Sequence, residues 1–199
     1  LCGGSGLYIE AVLKGYTIPE APPNPEIREE LSHKSNEELL AELERLDPKT
    51  AEFIDARNTR RLIRALEVIY VTGKPFSAQR QKTSPSFEYL MIGIDLPRDE
   101  LYRRIDERVE QRLKKGMIEE VKRLHGGGLN WARLEDFGLE YRYVAQYLQG
   151  QLEYNEMVSQ LKSAIHEFAR HQYTWLKRWK EIQWVKTSVE VEEKIIKFL

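Results

Sequence analysis

The 199 residues, 41% hydrophobic and 32% charged, suffice for one full core or two small ones and read as an ordinary soluble, helix-rich chain. The longest apolar run, "YLMIGI", is far too short to span a membrane, and the start shows neither the charged region nor the cleavage site of a signal peptide. The single cysteine, Cys2, excludes an intramolecular disulfide and a cysteine-based zinc site, which favours a reducing cytoplasm.

The net charge of −1 is no sign of nucleic acid, but its distribution is uneven. Residues 1–59 hold 6 Lys/Arg against 12 Asp/Glu, residues 60–180 hold 22 against 16, and residues 181–199 hold 3 against 4. The basic excess in the later helices fits either a phosphate-facing surface or plain solvated helix faces.

In chain order, residues 1–2 read as a strand end, 3–6 as a glycine turn and 7–13 as a helix. "IPEAPPNPEI" is a connector that stays non-helical until it ends. An acidic helical region follows over 26–53, with Ser35 and Glu38 spaced as a capping box. Asn58 is placed to cap "TRRLIRALEVIYVTG", whose Leu62, Leu66 and Ile69 share a face and whose Gly73 is a stop. "YLMIGIDLP" reads as a buried strand. Asp99 is placed to cap one long helix to about residue 124, buried through Leu101, Ile105 and Val109. "HGGGLN" is a loop, helices follow near 138–148 and 154–180, and the tail ends in a possible helix. No internal repeat is present.

Three helices carry cations at helical spacing: Arg60, Arg61 and Arg64, then Arg104, Arg108 and Arg112, then His166, Arg170 and Lys177. With Tyr173, Trp175 and Trp179 they suit a groove that neutralises phosphates and stacks bases, although aromatic stripes also build cores. The turn of Gly3, Gly4, Ser5 and Gly6 aims backbone N–H groups and a hydroxyl ahead of a helix start, a fit for an anion, while glycine there also has purely steric uses. Other patterns fail. In "HEFARH" the histidines are five apart and so on different faces, unlike a zinc protease. "TGKP" lacks the rest of a phosphate loop. "GGSGL" with "HGGG" lacks the last glycine of an esterase elbow and has the oxyanion motif on the wrong side.

"GGSGLYIEAVLKG", "PEIR", "RRLIRALEVIYVTGKPFS", "LYRRIDERVEQRLKKGMIEEVKRL", "YLQGQLEYNEMV" and "RHQYTWLKRW" together resemble the tRNA dimethylallyltransferases, which prenylate an adenosine beside the anticodon, and stand in that family's order over roughly residues 1–180. Two departures stand out: Ser5 replaces the family's threonine, and "FGLEYRYVAQYL" is longer than its I-G-Y-x-x stretch. The family's N-terminal phosphate loop, G-x-x-x-x-G-K-[ST], and the segment bearing its catalytic aspartate do not occur in these residues, so the chain reads as a fragment.

The resemblance implies an α/β fold for the full protein, a P-loop NTPase-like core with a parallel sheet, of which this fragment is the mostly α-helical part with few strands. Residues 1–25 would be the remainder of that core, 26–57 the helical insertion placed against the anticodon stem, 58–180 the rest of the core with tRNA-binding helices, and 181–199 a tail. It implies dimethylallyl diphosphate and the tRNA anticodon stem-loop as substrates and Mg2+ as cofactor, with no metal ligand assigned here. A cytoplasmic monomer is expected, and the fragment alone is expected to be inactive. Ser5 takes the catalytic place. The tRNA contacts it implies are Arg28; Arg60, Arg61, Leu62, Ile63 and Arg64; Tyr141 and Arg142; and Arg170, His171, Gln172, Tyr173, Thr174, Trp175, Leu176 and Lys177. Gly3, Gly4, Arg104 and Arg108 are candidates for the diphosphate, the two arginines equally for core ion pairs. A non-catalytic RNA-binding module and an adenine-nucleotide prenyltransferase are the alternatives.

Overall fold

The computed structural model describes residues 1–16, 19–79 and 87–199. Ile18, the first residue of the proline connector, lies outside them. The chain divides into two compact units, Leu1–Glu88 and Tyr89–Leu199.

The first unit is helical. Helix α1 (Gly6–Leu13) leaves Leu7, Tyr8 and Val12 exposed and buries Leu13. Proline at its start and Asn24 as N-cap open α2 (Pro25–Ser32), the Asn24 side chain accepting from the amides of Glu26 and Ile27, which satisfies two donors a helix start leaves unpaired. The expected capping box opens α3 (Asn36–Leu46), with Ser35 and Glu38 each satisfying the other's backbone amide. After the short α4 (Pro48–Phe53) comes α5 (Thr59–Thr72), capped by Asn58 and ended by Gly73 at φ 66°, a left-handed conformation that a side chain would strain. Leu31 of α2, Leu39 and Leu43 of α3, and Leu62, Ala65, Leu66 and Ile69 of α5 form one core, so the insertion and the basic helix share their buried surface. Asp47, 2% exposed, ties α4 to α6 (Phe76–Gln79). It accepts from the amide and hydroxyl of Thr50 and from the amide and hydroxyl of Ser77.

The second unit pairs β1 (Ile92–Ile94) in parallel with β2 (Gln183–Val185), Gly93 opposite Trp184. Between them run α7 (Arg98–Lys114), α8 (Met117–Gly126), α9 (Trp131–Glu135), α10 (Leu139–Leu148) and α11 (Tyr154–Leu176), and α12 (Ser188–Phe198) follows. Val109, Met117, Val121, Leu134, Val144, Ala145, Met157 and Leu161 make its core.

Several expectations need correction. Residues 1–2 form no strand; Leu1 is 90% exposed, and a strand exists only where a neighbour takes up its hydrogen bonds. The strand at 92–94 is only partly buried, with Ile94 67% exposed. The long helix from Asp99 is two helices, because Gly116 takes φ 92° and caps α8. The N-cap of α7 is Pro97, two residues before the expected Asp99, which sits in the first turn, where the helix dipole still favours a carboxylate. Helix α8 also runs through His125 and Gly126, into the segment read as loop, while α11 stops at Leu176. Among the described residues no helix is long and apolar enough to cross a membrane.

Candidate nucleic-acid interface

The first unit brings two of its predicted site residues, Arg28 and Arg64, to one carboxylate. Glu67, on α5, is fully buried. Its Oε1 accepts from Arg28 Nε at 2.7 Å and from the Asn24 amide at 2.8 Å. Its Oε2 accepts from Arg28 Nη2 at 3.0 Å and from Arg64 Nη1 at 2.6 Å. Arg64 Nη2 donates to the Ala21 carbonyl at 2.9 Å. The proline connector, α2 and α5 therefore meet at one side chain. Arg28 and Arg64 keep 46% and 35% of their side-chain surface open, so the pair faces solvent above a buried anion.

Helical spacing puts Arg60 one turn before Arg64 on the same side. Arg60 and Arg61 are exposed and, among the described residues, form no ion pair. Leu62 is a core residue at 0% exposure and Ile63 packs at the core's edge; their side chains anchor the helix.

Burial by itself would raise the Glu67 carboxyl, but hydrogen bonds from Arg28, Arg64 and the Asn24 amide outweigh it and hold the group at about 2. An unfolded glutamate, near 4.5, takes up its proton first as the pH falls. The stability from this group is thus complete above that value and drains away toward pH 2, by about 3 kcal/mol. Urea melts between about pH 5 and pH 2 should show this acid loss, and Glu67→Gln should flatten it.

Ser5 stands exposed at the N-cap of α1. Its carbonyl accepts from the amides of Tyr8 and Ile9, but its hydroxyl makes no cap hydrogen bond. Gly3 is exposed and Gly4 half-buried beside it. The hydroxyl is thus not committed to holding the helix.

In the second unit the basic residues differ in their freedom. Arg104 pairs with Glu100 on its own helix at 2.6 Å and is 58% exposed. Arg108 is exposed and unpaired among the described residues. Neither makes a core ion pair; that role falls to Arg112, half-buried against Glu140 at 2.6 Å. Tyr141 donates to Glu120 at 2.7 Å and meets Phe137 edge to face, while Arg142, one residue on, is exposed and unpaired among the described residues.

The last turns of α11 leave the core and carry the remaining candidates. Arg170 lies 3.2 Å from Glu167, with exposed His171 beside it at 3.4 Å. His166, one turn earlier, is no open cation: its Nε2 sits 2.9 Å from Asp106 Oδ1, without hydrogen-bond alignment, and its ring stacks on Tyr102 at 4.0 Å. Gln172 is half-buried, and exposed Thr174 turns its hydroxyl back to the Arg170 carbonyl. Tyr173 donates to Asp95 at 3.1 Å, meets Trp184 edgewise, and carries the Lys177 ammonium 4.6 Å above its ring. This ties α11 to the sheet, while the Tyr173 ring stays 36% exposed. Trp175 and Leu176 are half-buried, and Trp179, which Trp175 meets at 5.9 Å, is buried.

Glu67 is the residue that sequence reasoning passed over. The signal was there: a lone acid inside the apolar run of α5, three residues after Arg64, where an i, i+3 pair faces its partner.

Comparison with known proteins identifies the lineage. A family model described as IPP transferase matches residues 1–179. A protein called tRNA dimethylallyltransferase 2 from Trichlorobacter lovleyi is 44% identical over 178 residues, which cover 89% of this chain and 58% of that protein. The chain thus spans less than two thirds of the length of such relatives. Among solved structures, the full-length tRNA isopentenylpyrophosphate transferase from Bacillus halodurans is 31% identical, with TM-score 0.56 over 97% of this chain and 61% of its own. A eukaryotic dimethylallyltransferase solved acting on tRNA shares the fold at 20% identity, TM-score 0.71, over 94% of this chain and 51% of its own. With nine-tenths of its length matched to one family model and to proteins that carry that family's name, this chain belongs to the IPP transferase family, that of the tRNA dimethylallyltransferases.

Proposed function

We propose that the intact protein transfers a dimethylallyl group from dimethylallyl diphosphate to N6 of the adenosine adjacent to the tRNA anticodon. The observation that carries this reading is the family match over residues 1–179. It is supported by the exposed arginines of α5, with Arg28 set beside Arg64 on one carboxylate. In the reaction the adenine N6 forms a bond to the allylic carbon as the carbon–oxygen bond to diphosphate breaks, and the N6 proton leaves to base or solvent. Extruding the base from its stack costs a few kcal/mol, which contacts to the RNA backbone offset.

The roles divide by unit. In the first unit Arg28, Arg60, Arg61 and Arg64 are the RNA contacts. In the second unit they are Arg142, Arg170, His171 and Lys177, and Arg108 is that unit's open candidate for diphosphate. Ser5 offers its hydroxyl to the reacting adenosine or to the leaving diphosphate. A P-loop NTPase-like α/β core for the intact protein rests on the family resemblance, and the exposed Leu7, Tyr8 and Val12 of α1 offer an apolar face for such a core to cover. Magnesium would arrive with the diphosphate. There phosphate oxygens and water would supply most of its ligands, with one or two carboxylates at most from protein; among the described residues no three His, Cys, Asp or Glu side chains gather as a dedicated cage. The intact protein acts as a cytoplasmic monomer.

The test is transfer of labelled dimethylallyl to an anticodon stem-loop. The intact protein should label the adenosine, and the 199-residue chain, which contains no G-x-x-x-x-G-K-[ST] loop, should not. Labelling of free adenine nucleotide in place of the stem-loop would move the assignment to a nucleotide prenyltransferase; RNA binding without any transfer would leave an RNA-binding module. In the intact protein Ser5→Ala should slow transfer about tenfold, the worth of one hydrogen bond to substrate. Its melting should not change, because the hydroxyl caps nothing. Ser5→Thr should keep the activity.

A further inference from the structure

We infer that Glu67 is a positioning residue for the RNA contact: from its buried place it holds the guanidinium groups of Arg28 and Arg64 together so that their free N–H edges meet one phosphate of the RNA backbone. The inference rests on the proposed tRNA face. It goes beyond that face by giving a role to a residue no RNA can touch.

The geometry carries the argument. Arg28 spends Nε and Nη2 on the two carboxylate oxygens and keeps Nη1; Arg64 spends Nη1 on the carboxylate and Nη2 on the Ala21 carbonyl and keeps Nε. Each side chain is held at two points, and both share Oε2 as an acceptor. A surface arginine otherwise samples many rotamers and must give them up on binding. Two guanidinium groups ordered beforehand present a planar, forked donor set of the kind that suits phosphate oxygens. Two cations against one anion leave the trio with one net positive charge, so the cluster still attracts phosphate.

Charge and position predict opposite signs for one substitution. Glu67→Gln removes a negative charge beneath the arginines, and on Coulomb grounds alone it should tighten RNA binding. If Glu67 acts by holding the arginines, it should weaken binding. The experiment is filter binding of the intact protein to an anticodon stem-loop RNA over a salt series, with the folded fraction of each variant measured by circular dichroism. Glu67→Gln is expected to bind about tenfold more weakly, the scale of re-ordering one or two long side chains. The salt slope should hold, because the number of phosphates neutralised has not fallen. Arg28→Lys, a surface change that keeps the charge and loses the two-point hold, is expected to do the same. A folded Glu67→Gln protein that binds as tightly as the parent, or more tightly, overturns the inference and leaves the tRNA face standing. Should that variant not fold, Arg28→Lys decides: parental affinity overturns the inference and tenfold weaker binding supports it. Absence of RNA binding by the parent protein overturns the tRNA face itself, and the inference with it.

Discussion

Arg28→Ala combined with Arg64→Ala is expected to destabilise the first unit by about 3–5 kcal/mol at neutral pH, the range for stripping a buried charge of its partners. Glu67 has no exposed surface, and without the two guanidinium groups its only remaining partner among those described is the Asn24 amide. The exposed arginines lose little by being deleted, since they can be replaced by water. The burden falls on the carboxylate left behind. Two further results should follow. The deficit should shrink on acidification, because a lone buried carboxyl takes up a proton more readily than an unfolded one, so acid favours the folded variant as it disfavours the parent. Adding Glu67→Gln to the double variant should restore part of the loss, because a neutral amide is cheaper to bury than an unpaired anion. Urea denaturation of the three proteins at about pH 7 and pH 4 reads all of this, and a loss below about 1 kcal/mol would show that water reaches Glu67.

Leu161→Ala is the second large effect, expected at about 2–5 kcal/mol through lost transfer energy and the cavity it leaves. Leu161 is fully buried on α11, in the core with Val109, Val121, Val144 and Met157, so helices on several sides would have to move to refill the space. Ile196→Ala is the control. That side chain is 76% exposed, and its loss should stay within about 0.5 kcal/mol. Thermal melts distinguish the two. Arg170 and its neighbours lie beyond the core-facing part of α11, so Leu161→Ala should reduce RNA binding only in proportion to the protein unfolded at the assay temperature.

Helix ends in this chain were legible because they are written in local chemistry. Ser35 with Glu38, Asn58, and Gly73 each act within one turn, and each stands where its side chain or its φ angle requires. The break at Gly116 was harder to read. "RLKKGMIEEV" keeps a helical pattern through the glycine, and the left-handed turn there is settled by α7 and α8 folding back onto a common core. The partner of β1 was unreadable for a related reason. Gln183–Val185 is three residues long and pairs with a strand far away in sequence, while hydrophobic periodicity reports only on neighbours.

The same division runs through the candidate site. The family, the helical character, the cap residues and the basic spacing on α5 were legible along the chain, because these depend on residue identity over a few turns. Which side chains stay open and which are committed was settled by folding. Arg112 goes to Glu140, Tyr173 to Asp95 and Trp184, and Arg28 joins Arg64 on Glu67. A charge is free or spent according to what the fold brings within hydrogen-bond reach, and Arg28 is 39 residues from the carboxylate that holds it.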